Sequence, residues 1–198
     1  VALSKHFNQV LATDLGQQQI DNAVHLDNVS FSVSAAENSA LANDSCDLVC
    51  TAQALHWFDL PQYWQTVQRV LKPGGIFATW GYNWNRFDPE LDGLIHDVVF
   101  KPIEGYWAPN NKLLWDHYRD IEFPFERIKV PEVSMPCNYN LHQLFSLYRT
   151  MSGVQNFIQL HGDEYLRRAY DTVQSVWGDP EVSKVSHWEF VSYCGRLA

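Results

Sequence analysis

Short apolar runs separated by helical patterns give the chain its order. Val10-Leu11-Ala12-Thr13-Asp14 reads as a strand ending in an acid, Gln17 to His25 as a helix, and the alternating Val29-Ser30-Phe31-Ser32-Val33 as a second strand. Strand, helix, strand at this spacing is a βαβ pattern, which predicts a parallel sheet with right-handed crossovers. Cys46 to Ala52 is a mostly apolar run with the length of a buried parallel strand. After it, Asp59 as N-cap with Pro61 just inside opens a helix over Leu60 to Leu71, with Leu60, Trp64, Val67 and Leu71 as its buried stripe. Lys72-Pro73-Gly74-Gly75 stops that helix, and Ile76 to Trp80 reads as the next strand.

From Gly81 the pattern loosens. Trp84, Phe87, Tyr106, Trp107, Trp115 and Tyr118 lie among Asn, Pro and Gly, so 81–119 reads as an irregular insertion with one helix around Leu91–Phe100. Phe125 to Cys137 gives a strand bent at Pro131. Leu141 to Val154 and Asp163 to Val176 give helices, and His187 to Leu197 gives a last strand that pairs with 126–137. The expected fold is α/β: a doubly wound, mostly parallel sheet with an antiparallel edge pair. A single domain is expected over 1–198, with 81–119 as a lid and 141–176 as a helical cover.

Composition narrows the classes. At 198 residues and 46% hydrophobic, one sizeable core can form. Net charge is −9 and no basic run exceeds the pair Arg167-Arg168, so a nucleic-acid partner is not expected. Cys46, Cys50, Cys137 and Cys194 lack CxxC spacing and read as buried free thiols, with no metal site expected. With no 18-residue apolar run and no leader-like segment, the expectation is a cytoplasmic protein without a membrane partner.

The chemistry concentrates just past the 46–52 strand, in Gln53-Ala54-Leu55-His56-Trp57-Phe58-Asp59. In open α/β sheets ligands bind beyond the strands' carboxyl ends. His56 is the side chain there that titrates near neutral pH, so it is the candidate general base. A histidine bonded into structure, with Trp57 packing beside it, is the alternative.

The strand, HWF loop, helix, LKPGG turn and strand together resemble the second half of a class I S-adenosylmethionine-dependent methyltransferase. The likeness is nearest the small-molecule subfamily that includes trans-aconitate methyltransferase-like proteins. It is strongest over Thr13–Thr79 and extends to Leu147–Asn156 and Val176–Pro180. The resemblance implies that Asp14, with Leu15, grips the ribose of S-adenosylmethionine and that Ala36 and Glu37 lie beside the adenine. It implies that Thr51 and Ala52 line the methionine end, and that Trp57 and Arg149 meet a small-molecule acceptor, a carboxylate or a hydroxyl; the composition of the 81–119 lid adds Trp84, Tyr106 and Trp107 as apolar walls for it. A ribose acid at Asp14 also suits NAD, which leaves an NAD-dependent oxidoreductase as a rival, and an inactive methyltransferase-like binding protein as another. Arg149 has a duller reading as a helix-surface salt bridge, and the aromatics of 81–119 have one as a homodimer interface. The family's first strand and Gly-rich loop are expected immediately before Val1, so the sequence reads as part of a longer protein.

Overall fold

The computed structural model describes residues 1–198. β1 (Val10–Asp14) and β2 (Val29–Val33) pair in parallel, with Val10 opposite Val29 and Asp14 opposite Val33. The crossover between them carries α1 (Gln17–Asp21), shorter than the helix expected to reach His25. Asn22 ends it by turning its side-chain amide back onto the Gln18 carbonyl at 2.8 Å, a competition with the helix that asparagine often wins.

A five-stranded sheet runs in the order β3–β4–β7–β5, with β6 also beside β7. Its members are β3 (Cys46–Ala52), β4 (Leu71–Arg86), β5 (Glu126–Arg127), β6 (Met135–Tyr139) and β7 (Lys184–Arg196). β7 is antiparallel to both of its late partners, with Arg127 opposite Gly195 and Met135 opposite Trp188. The antiparallel edge expected from the sequence is therefore present. It is interrupted between Arg127 and Met135, around Pro131, which has no N–H to give a ladder.

α2 (Leu60–Val70) starts where the sequence places it: the Asp59 side chain accepts from the Gln62 N–H at 3.2 Å. Its buried face is Tyr63, Val67 and Val70, rotated from the expected stripe, so Leu60 is not part of it. β4 follows directly and takes in the Lys72-Pro73-Gly74-Gly75 stretch, where Gly74 has φ +75°, a left-handed conformation that glycine adopts without steric cost. Its N–H donates to Leu197 O at 3.1 Å and Leu197 N–H donates to Gly75 O at 2.9 Å. The start of β4 is thereby fastened to the end of β7.

The chain packs as two compact units. Val1–Thr79, Glu122–Lys129 and Tyr193–Ala198 form one, and Trp80–Ile121 with Val130–Ser192 forms the other. An aromatic core holds the first: Phe77 is fully buried and lies on Phe125 with centroids 5.1 Å apart at 19°, while Tyr193 stacks on Phe123 at 3.7 Å and 10°. Cys50 sits in the same unit; burial, with Cys194 nearby, pushes its thiol up to about 11.

The helix expected around Leu91–Phe100 is present in the second unit, and the chain on either side of it is more helical than the sequence suggested. α3 (Pro89–Ile95), a π turn at His96–Phe100, a 3-10 turn at Lys101–Tyr106 and α4 (Asn111–Trp115) fill most of 81–119. Asp88 opens the first of these, its carboxylate accepting from the Glu90 and Leu91 N–H groups at 3.0 Å, with Pro89 at the first helical position. Leu91, Ile95, Val99 and Ile103 recur every four residues and are all buried. α5 (Leu141–Thr150), α6 (Ser152–His161) and α7 (Glu164–Trp177) complete the unit. α7 buries Leu166, Ala169, Val173 and Trp177 on one face, in the core that holds Leu141, Leu144 and Tyr148 of α5.

Candidate functional site

Asp14 closes β1, and its carbonyl accepts from the Ser34 N–H just past β2 at 3.1 Å. Its Oδ1 accepts from the Gly16 N–H at 2.7 Å, so the carboxylate shapes the turn into α1. Oδ2 makes no hydrogen bond within the chain, and the side chain is exposed. Leu15 beside it is 73% exposed, so it covers no core.

Ala36–Asn38 is a single 3-10 turn after β2. Glu37 has structural work there: Oε1 accepts from the Asp59 N–H at 3.0 Å, and its carbonyl accepts from the Thr66 hydroxyl. Arg69 reinforces the junction, donating to Leu41 O and Ser39 O at 2.6 Å each. The turn is thus held against α2 by charged and backbone groups at once.

At the end of β3, the Thr51 hydroxyl is buried and lies 2.5 Å from the Tyr63 hydroxyl, while Ala52 is exposed. Leu55–Trp57 form a 3-10 turn that buries His56 to 5% exposure and leaves Trp57 at 51%. The two rings sit 5.0 Å apart. Burial lowers the His56 pKa to about 4, because the imidazolium would lose its hydration. The ring is therefore neutral across the physiological range, and a base that weak is a poor match for proton abstraction near pH 7.

The second unit carries a half-open cavity of about 170 Å³. Its apolar walls are Trp84, Phe100, Trp107 and Trp115. Trp84 lies 4.8 Å from Phe100 and 5.7 Å from Trp115, and Trp107 stands edge-on to Trp115 at 5.6 Å. Asn85 is the buried polar residue of the lining, and Arg86, Asp92, Lys101 and Glu104 are its charged members, with Arg86 paired to Glu189 and Lys101 to Asp97.

Trp84 and Trp107 of the residues read from the sequence therefore meet in one cavity. Tyr106 does not join them: it packs edge-on to Phe157 and its hydroxyl bonds His161 Nε2 at 2.6 Å. Arg149 lies outside that cavity's lining and is paired with Asp163 at 2.7 Å on the helix surface. Asn85, Phe100 and Trp115 were missed as lining. β4 runs on to Arg86 with Gly81, Asn83 and Asn85 buried, a polar inward face that reads in sequence as loop. Four side-chain atoms on this strand, Thr79 Oγ1, both ends of the Asn83 amide and Asn85 Nδ2, are buried without a hydrogen-bond partner.

An acid with a spare oxygen at the carboxyl end of a parallel strand, beside a fixed turn after the next strand, is how doubly wound α/β enzymes hold nucleoside-bearing cofactors. Residues 1–79 match the family described as a methyltransferase domain. A protein of Dictyostelium discoideum named as a methyltransferase is 32% identical over 176 residues, covering 87% of this chain and 67% of that one. A Saccharomyces cerevisiae protein named as an S-adenosylmethionine-dependent methyltransferase is 25% identical over 138 residues, 61% of this chain and 47% of its own length. Among solved structures, one from Anaeromyxobacter dehalogenans described as a type II methyltransferase superposes with a TM-score of 0.87 at 29% identity, covering 98% of this chain and 83% of that one. The chain belongs to the class I S-adenosylmethionine-dependent methyltransferases. No helix is long and apolar enough to cross a membrane.

Proposed function

We propose that the chain carries the ribose and adenine contacts for S-adenosylmethionine on its first unit and transfers the methyl group to a small-molecule acceptor. The observation that supports this most is Asp14. Its Oδ1 is spent on the Gly16 N–H and its Oδ2 is open to solvent, so one carboxylate holds the turn and still has an oxygen for a ribose hydroxyl. Such charge-assisted bonds are about twice as strong as neutral ones. Leu15 and Ala36 offer exposed and half-exposed apolar surface near that acid, and Ala52 does so at the end of β3. Glu37 acts by holding the Ala36–Asn38 turn in place, its carboxylate being bound to the cap of α2.

When bound, S-adenosylmethionine supplies an electrophilic methyl group on a cationic sulfonium. The protein's contribution on this reading is alignment and dehydration. In-line positioning can account for roughly 7–11 kcal/mol of barrier in well-oriented reactions. His56, neutral and buried, suits a role in fixing the loop that presents Trp57. The acceptor we propose is a small molecule methylated on oxygen, at a hydroxyl or carboxylate, as in the trans-aconitate methyltransferase-like proteins. The aromatic segment 81–119 would serve as its lid, the reading favoured over a homodimer interface by three of its indoles lining one cavity.

Calorimetry with S-adenosylmethionine, S-adenosylhomocysteine and NAD tests the cofactor. Binding of both sulfur compounds and not of NAD is expected; binding of NAD alone, or of none of the three, would sink the proposal. Turnover against a panel of small hydroxy and carboxylic acids then separates an enzyme from an inactive binding protein.

A further inference from the structure

We infer that the half-open cavity of the second unit is a binding site for a methylated ammonium group, held against its indoles with Glu104 as counter-charge. The walls point to a cation. Trp84, Trp107 and Trp115 have ring centroids 5.6 to 6.1 Å from one another. Trp84 and Trp115 are inclined at only 31°, and Trp107 stands at 90° to the first and 84° to the second. Two rings near parallel with a third set across them make an aromatic corner. One cation there can lie within about 6 Å of more than one centroid, the range over which a ring face attracts positive charge. The same faces are negative and disfavour an anion.

The charged members of the lining point the same way. Arg86 is held by Glu189 at 2.7 Å and Lys101 by Asp97 at 3.7 Å, and neither acid belongs to the lining. His96 Nδ1 also lies on Asp97, at 3.4 Å. The lining's own acids are less committed. Asp92 gives one oxygen to the Phe87 N–H at 2.8 Å, and Glu104 has no ion-pair or hydrogen-bond partner in the chain. Asp92, Glu104, Asp97 and Glu189 thus stand against Arg86 and Lys101, in a chain whose net charge is −9. An incoming cation gains from that field and an incoming anion loses.

The kind of cation follows from what the lining lacks. No three His, Cys, Asp or Glu side chains are grouped so as to hold a metal ion. A primary ammonium carries three N–H donors and a strong hydration shell, which indole faces do not replace. A methylated nitrogen has few or no N–H groups to satisfy, keeps its charge and packs its methyls on the rings, which is why aromatic-lined sites take it. Because the cavity is half open, the rest of the molecule extends out of it, and the cavity sets no limit on its length. Taking this ligand as the methyl acceptor rests on the function proposed above, and the same molecule then carries the hydroxyl or carboxylate that is methylated. The site itself does not rest on that reading.

Saturation-transfer NMR titrations on the whole chain test it with three probes: choline, its uncharged carbon isostere with tert-butyl in place of trimethylammonium, and the anion tert-butylacetate. Choline is expected to bind about five- to thirtyfold more tightly than the uncharged isostere, the worth of a cation at an aromatic site partly out of water. Glu104→Gln should cut that preference by about two- to fivefold and leave the isostere unchanged. Trp115→Leu should remove most of it; Glu104→Gln, at an exposed position, carries the test if the leucine variant does not fold. Equal binding of choline and the isostere overturns the inference, as does tighter binding of tert-butylacetate or no binding by any probe. A preference untouched by either substitution also overturns it, because the cation then sits elsewhere on this acidic chain. A parallel S-adenosylmethionine titration keeps the two readings apart. Cofactor binding without the choline preference removes this inference alone, and the preference without cofactor binding removes methyl transfer alone.

Discussion

Gly153 lies directly under the indole of Trp107: a Cβ placed on Gly153 would come within 2.5 Å of Trp107 Cδ2 and 2.6 Å of Cε2. The glycine sits in the first turn of α6, where alanine would ordinarily favour the helix by up to about 1 kcal/mol. Here the ring it would displace is a cavity wall with Trp84 and Trp115 on its other sides.

Gly153→Ala should therefore destabilise by about 1–3 kcal/mol, the usual cost of overpacking, against the sign that helix propensity alone would give. Urea melts of Gly153→Ala in the natural background and in Trp107→Ala check it. The loss should shrink to near zero, or reverse, once the indole is gone; an equal loss in both backgrounds would place the strain elsewhere.

Asp14→Asn should keep the fold, because an asparagine Oδ1 can still accept from the Gly16 N–H. Affinity for S-adenosylmethionine should fall by roughly 1.5–3 kcal/mol, the range for hydrogen bonds to a charged group. Calorimetry on the folded variant reads this directly, and unchanged affinity would leave Asp14 as a turn residue only.

His56 gives a pH dependence of definite sign. Its folded pKa of about 4 lies below the ordinary 6.5, so between those values the unfolded chain takes up a proton that the folded chain refuses. Stability should rise with pH across about 4 to 6.5 and be level above it, with a total on the order of 2–3 kcal/mol. The difference between natural chain and His56→Gln across that window isolates this contribution from the carboxylates. Turnover of His56→Gln at pH 7.5 should stay within about tenfold of the natural chain, whereas loss of a general base would cost about 10²–10⁴.

Arg69→Met should destabilise by about 2 kcal/mol, since the guanidinium's hydrogen bonds to Ser39 O and Leu41 O would be lost while its apolar stem is kept. Lys would not restore both, as an ammonium lacks the fork that reaches two carbonyls. Chemical denaturation of the methionine and lysine variants gives the comparison.

The parts of this fold that local chemistry dictates were legible in the sequence. Asp59 with Pro61 marked the start of α2, the Pro-Gly-Gly stop marked its end, and alternation in 187–197 marked β7. β4 was cut short because its inward residues beyond Trp80 include Asn83 and Asn85, which invert the apolar-in signal that pattern reading depends on. The helix around Leu91–Phe100 was legible, but its continuation through Lys101–Tyr106 and the short helix Asn111–Trp115 escaped for a related reason. The four-residue stripe of Leu91, Ile95, Val99 and Ile103 is interrupted by Gly, Pro and aromatics that locally suggest loop. For the site, the strand-end acid at Asp14 followed from position, while the burial of His56 and the ion pair of Arg149 are tertiary facts that no local window contains.

The thiol of Cys50, raised to about 11 where it sits in β3, makes a built-in clock. At pH 8 only about one such group in a thousand is thiolate, against roughly a quarter for an unperturbed cysteine, so an alkylating reagent finds almost nothing to attack while the strand stays closed. Modification of Cys50 should then run far more slowly than that of an unperturbed thiol, and any acceleration under mildly destabilising conditions would report opening of β3. The chain thus carries, on the strand that ends at Thr51 and Ala52, a native reporter of local breathing that needs no foreign label.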